Sequence, residues 1–155
     1  MSFRITGLPA APFQHLFGLP DAQLAALGVQ RQTADAKPGF PDRITLRDAE
    51  PGEAVLLLNY QHQPTATPYR ASHAIFVLED ARETFDAIDT IPDAMAQRLL
   101  SLRAFDAQHW MVDADVVEGK DAAQLIERLF ANGDVAYIQA HYARRGCYAA
   151  RIERA

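Results

Sequence analysis

The sequence predicts an α+β fold: one domain with a largely antiparallel sheet, a few short inserted helices and a C-terminal β-hairpin. Three observations carry this expectation. Strand-like runs outnumber helical ones and follow one another without a regular strand–helix alternation. The helical runs are short and bounded by Gly, Pro or capping residues. The last two strand-like runs, Val135–Tyr142 and Cys147–Glu153, face each other across the short segment Ala143–Gly146.

Taken in order, Ser2–Gly7 reads as an opening strand and Pro12–Gly18 as a helical turn. Asp21 starts a short helix through Leu24, Ala25 and Leu27, closed by Gly28, which tolerates the left-handed cap geometry. Val29–Thr33 reads as a strand. Lys37-Pro38-Gly39-Phe40-Pro41 is excluded from regular structure, because its prolines lack an amide donor, and it leads into a strand at Arg43–Leu46. Asp48–Gly52 is a turn, Ala54–His62 a strong strand, Gln63–Pro68 a loop and Ser72–Glu79 a further strand. Asp80 and Glu83 have the spacing of a capping box for a helix carrying Phe85 and Ile88, and Pro92 suits the first turn of a second short helix. Leu100–Phe105 and His109–Val117 read as paired strands. Asp121 opens the clearest helix, whose apolar face is Leu125, Ile126, Leu129 and Phe130, and Asn132-Gly133 ends it.

The chain of 155 residues is long enough to bury its own core. On folding, a domain near this size buries roughly 68–70% of the surface its unfolded chain exposes. A net charge of −5, with no basic stripe beyond Arg144-Arg145, argues against nucleic acid as a partner. The longest apolar run, Ala54–Leu58, is too short for a membrane span, and the start Met1-Ser2-Phe3-Arg4-Ile5 lacks the pattern of a signal peptide. The lone Cys147 leaves no internal disulfide, so a reducing, cytoplasmic setting is expected. Dinucleotide, P-loop, zinc-protease, dithiol and nucleophile-elbow motifs are all absent, and no cofactor or metal is expected.

Three segments form an ordered set: Pro38-Gly39-Phe40-Pro41-Asp42-Arg43, Pro68-Tyr69-Arg70-x-Ser72-His73-x-Ile75-Phe76-Val77, and His141-x-Ala143-x-x-Gly146-Cys147-Tyr148-Ala149-Ala150-Arg151-Ile152. With Ser101-Leu102-Arg103-Ala104 between them, the chain resembles the bacterial domain-of-unknown-function family DUF1203. The resemblance implies a small, single-domain cytoplasmic protein and supplies no activity. It also implies a family pattern with cysteine often standing where this chain has Asp42, and Asn where it has Tyr142. The first departure speaks against a mechanism that needs two cysteines.

Side-chain chemistry leaves three readings open. Arg43, Arg70 and Arg103 lie at loop–strand junctions or interrupt an apolar strand, and guanidinium forks bind carboxylate or phosphate. With Tyr69 and His73 to orient the ligand, they would line a pocket for a small anionic metabolite, the leading expectation. In the last hairpin, matching the more apolar faces pairs residues whose numbers sum to an even value. That register puts His141 and Cys147 on one face, where His141 as base would activate Cys147 as nucleophile. The third reading is a protein-interaction module using an exposed sheet edge. His109, Asp113 and Asp115 share one face of a strand, a pattern that a metal or plain solvation explains. Ligand identity and oligomeric state are not legible.

Overall fold

Apolar–polar alternation along the chain resolves into nine strands and three short α-helices in a computed structural model that describes residues 1–155. The larger sheet contains β1 (Phe3–Thr6), β5 (Asp86–Ile88), β6 (Leu99–Phe105), β7 (Met111–Glu118), β8 (Tyr137–Tyr142) and β9 (Tyr148–Arg154). Its strands are ordered β5-β1-β9-β8-β6-β7. The smaller sheet is β2 (Gln30–Thr33), β3 (Ala54–Gln63) and β4 (Ala71–Leu78), in that order. Every strand ladder is antiparallel, and β8 and β9 form the expected C-terminal hairpin. The α-helices α1 (Asp21–Ala26), α2 (Asp93–Ala96) and α3 (Ala122–Phe130) are insertions between strands, as is a 3₁₀ turn at Ala11–Leu16.

Helix α3 lays Leu125, Ile126, Leu129 and Phe130 on the face of the larger sheet that carries Leu100, Leu102, Ile138, Ala140 and Ile152. Each such burial contributes about 1.5–3 kcal/mol. The smaller sheet forms a second apolar cluster from Val55, Leu58, Ile75 and Val77 with Leu8, Phe13, Leu16 and Leu24. Both faces of β8 are buried. Ile138 and Ala140 belong to the α3 side, whereas Tyr137, Gln139 and His141 face the smaller sheet. There Gln63 Nε2 donates to the Tyr137 hydroxyl (2.9 Å) and Gln139 Nε2 donates to the His62 carbonyl (3.1 Å). No helix is long and apolar enough to cross a membrane.

Two local expectations change. Residues 43–46 form a turn rather than a strand, because the buried Asp42 carboxylate takes the Thr45 amide (2.7 Å) and hydroxyl (2.6 Å) and folds the chain back. Asp42 also accepts the Leu78 amide at 2.7 Å, which ties this turn to the end of β4. No helix follows Asp80, whose positive φ of 68° turns the chain instead of capping it. Phe85 donates its amide to Ile44 and accepts from Gly7 (both 2.9 Å), and the residues that follow pair with β1 as β5. Edge pairing to a strand far away in sequence overrides the local capping signal.

Candidate functional site

The site is built where the Asp42 turn meets the last hairpin. Arg43 follows the anchored Asp42 and is 1% exposed. Its Nε donates to the Tyr148 carbonyl at 2.7 Å, one Nη donates to the Pro41 carbonyl, and the other donates to Cys147 Sγ at 3.0 Å. No carboxylate pairs with this guanidinium. It lies 4.9 Å from the centre of the Tyr142 ring, and the Arg98 guanidinium lies 5.2 Å from the same ring. Arg98, in the turn after α2, grips Asp48 with both terminal nitrogens (2.9 and 2.6 Å). Burial alone would raise the Asp48 pKa, but the Arg98 fork and the Gly39 amide outweigh it and hold the carboxylate below its usual range.

Arg43, Arg98, Tyr142 and Cys147 belong to the wall of a cleft of about 710 Å³. One side is Gly39–Pro41 with Arg43, a second is His73–Phe76 of β4, and a third is Gln97–Leu99 with Glu118. Tyr142, Arg144, Arg145 and Cys147 of the hairpin close it. Glu118 is the one acid among the lining residues, against four arginines. Arg144 and Arg145 are exposed and engage no carboxylate. The Tyr142 hydroxyl is buried without any hydrogen-bond partner. Burial pushes this phenol up to about 12 against the pull of Arg43 and Arg98, so at neutral pH it keeps a proton to donate. An orphaned buried hydroxyl is unfavourable unless something arrives to pair with it.

The family model for proteins of unknown function DUF1203 matches residues 39–154, most of the chain and all of the cleft lining but Gln32. The chain belongs to the DUF1203 family. No curated protein and no solved structure matches it. The DUF1203 resemblance read from the motif segments therefore holds as family membership, and it brings no activity with it.

In this DUF1203 protein only some of the sequence-derived candidates share the cleft. Arg43, His73 and Cys147 line the cleft. Tyr69 instead packs edge-on against Phe105 and Trp110, at 6.0 and 5.6 Å. Arg70 is exposed, its Nε donating to the Pro64 carbonyl at 3.2 Å. Arg103 projects from the β6 face opposite α3, where it pairs in register with Gln139 and donates to the Ser101 hydroxyl (3.2 Å). The three arginines expected to converge thus do not share the cleft.

His141 and Cys147 do not face each other either. The even-sum register holds for Ile138↔Ile152 through Ala140↔Ala150, and then a bulge places His141 opposite Tyr148. The extra residue moves Cys147 to the Tyr142 side of the sheet, where the Cys147 carbonyl accepts the Tyr142 amide at 2.8 Å. His141 is fully buried among His62 and Tyr148 (ring centres 4.8 and 5.8 Å away), and its Nδ1 donates to the Gly146 carbonyl at 3.1 Å. Burial, reinforced by the charge of Arg103, pushes its pKa down to about 3, so it stays neutral. His109 Nδ1 lies 2.8 Å from the Tyr137 hydroxyl, while Asp113 and Asp115 face Arg128 (3.9 and 2.8 Å), so these three form no metal cluster.

Arg98 and Asp48 carry no motif signal; only the fold brings α2 beneath the hairpin. Tyr142 carries no motif signal of its own either. Arg144 and Arg145 stood out as the one basic pair in an acidic chain.

Proposed function

We propose that this DUF1203 protein binds a small anionic molecule in the cleft between the Asp42 turn, β4 and the C-terminal hairpin. The observation that carries the reading is the buried, unpartnered Tyr142 hydroxyl in a wall that also presents Arg98, Arg144 and Arg145. A phenol held between two guanidinium groups supplies a fixed donor, and the two free arginines supply attraction and bidentate recognition. The cleft volume suits a metabolite-sized ligand rather than a macromolecule. Arg43 acts as a positioning residue, because each of its three nitrogens already donates to the protein itself.

A thermal-shift screen with carboxylates and phosphate esters tests this. Ligand at about 100 times its dissociation constant stabilises by about 2.7 kcal/mol. For a domain near this size that is roughly 5–10 °C. The shift should shrink in Arg144→Gln/Arg145→Gln and in Tyr142→Phe. Equal shifts in wild type and both variants would place the anion elsewhere and sink the reading.

A further inference from the structure

Arg43 presents an imbalance of charge. It is among the largest fully buried side chains, it carries a permanent positive charge, and no Asp or Glu pairs with it. An uncompensated buried cation is strongly unfavourable. Two of its three partners are neutral carbonyls, and the third is Cys147 Sγ at 3.0 Å. Arginine has no acceptor, so the sulfur must accept that hydrogen bond. A thiolate fills this role with a full negative charge, whereas a thiol accepts weakly. Cys147 also lines the cleft, as does Tyr142, a residue only 5% exposed whose orphaned hydroxyl is independent evidence for a ligand there.

The surroundings narrow the chemistry open to this sulfur. His141 lies on the opposite face of the hairpin, and His73, the imidazole that lines the cleft, has its Nδ1 2.9 Å from the Ala74 carbonyl, so no imidazole is hydrogen-bonded to the sulfur to serve it as a proton carrier. Amide or ester cleavage through Cys147 would need such a group. Thiol–disulfide exchange does not, because its leaving group departs as a thiolate. The flanking Arg144 and Arg145 select a partner that carries carboxylates.

We propose that Cys147 is an exchange thiol for small carboxylate-bearing disulfides held in the cleft, an inference that rests on the anion-binding reading of that cleft. The Cys147 sulfur attacks one sulfur of the ligand, a new S–S bond forms, and the ligand's own S–S bond breaks. The departing half leaves as a thiolate and takes a proton from solvent. Cys147 is oxidised and the ligand disulfide is the oxidant, so no further reagent enters. The chain holds no second cysteine, so the mixed disulfide persists until a second small thiolate attacks it and restores Cys147.

Three disulfides of similar length test the proposal: dithiodipropionate (anionic), hydroxyethyl disulfide (neutral) and cystamine (cationic). Intact-mass spectrometry follows adduct formation, which in a chain with one cysteine must be on Cys147. At low ionic strength dithiodipropionate should modify the folded protein at least about tenfold faster than hydroxyethyl disulfide, because a cleft with four arginines and one acid concentrates anions. Cystamine should be slowest. The order should flatten in Arg144→Gln/Arg145→Gln and in the urea-unfolded chain. An unmodified folded protein, alongside an unfolded chain that reacts, overturns the proposal; so does a folded protein that treats all three disulfides alike. Succinate, which binds without reacting, separates the two readings by thermal shift of the wild type. A succinate shift without any adduct removes the exchange chemistry and leaves the anion site. An adduct without charge preference and without a succinate shift removes both.

Discussion

Arg43 and Tyr142 show how a polar residue can be structural and chemical at once. Arg43→Met should lower stability by about 3–5 kcal/mol, because it strips the donor from two carbonyls and a sulfur that are buried together. Urea unfolding reads this as a lower midpoint. Tyr142→Phe should go the other way: deleting an unsatisfied buried hydroxyl is expected to leave stability unchanged or raise it by about 1 kcal/mol in ligand-free protein. A clear destabilisation of the phenylalanine variant would mean that the hydroxyl is satisfied in solution. His141 carries a pH prediction. Its folded pKa is depressed to about 3 from an ordinary 6.5, so the unfolded chain binds the proton more readily. The stability it contributes is complete above about pH 6.5 and is lost as pH falls towards 3, by up to about 1.4 kcal/mol per pH unit. Unfolding free energies measured through that window should fall less steeply in His141→Gln than in the wild type. Some slope should remain, since burial also depresses His62.

At the scale of elements, one close approach fixes where Arg98 sits. Gly119 donates its amide to the Arg98 carbonyl at 2.8 Å, and a Cβ there would lie 1.8 Å from the Met95 carbonyl oxygen. Gly119→Ala must therefore push α2 away from the end of β7, destabilising by about 1–3 kcal/mol and loosening the Arg98–Asp48 pair. Equilibrium unfolding checks the first effect, and the Arg98 side-chain NMR signal checks the second. Beside this, β7 is the free edge of the larger sheet, with Val112 and Val116 exposed at 43% and 54%. A Val116→Thr exchange should stay within about 0.5 kcal/mol of wild type. The strands themselves were legible wherever alternation was strong, as in β3, β4, β6 and β8. The Arg43–Leu46 strand and the helix after Asp80 were misread because side chain and backbone there answer to distant partners. Asp42 spends its carboxylate on Thr45 and Leu78, and Phe85 spends its amide on Ile44. The bulge before His141 had no sequence mark, and that one residue decided which face Cys147 took.

For the whole molecule, the antiparallel α+β class was legible because it is a property of pattern, and the strand order was not. Nothing local says that β1 should lie between β5 and β9. The same limit applied to the site: its basic pair could be read from composition, while the convergence of Asp42, Arg98 and the hairpin needed the fold. Cys147 belongs to the apolar cluster under α3 and its neighbour Tyr148 to the cluster of the smaller sheet, so a single strand start joins both cores. The two clusters should melt together, and calorimetry should show one transition with equal calorimetric and van't Hoff enthalpies.

The place of β1 between two late strands also bears on how the protein is made. Its two neighbours in the sheet are β5 and β9, so during synthesis the first strand leaves the ribosome with neither partner available. The larger sheet cannot be completed until Tyr148–Arg154 has been synthesised, so it assembles later than the smaller sheet, whose strands β2, β3 and β4 are consecutive in the chain. Refolding from urea should accordingly be slow for the length of the chain, on the order of milliseconds to seconds, as in other folds dominated by distant strand pairing.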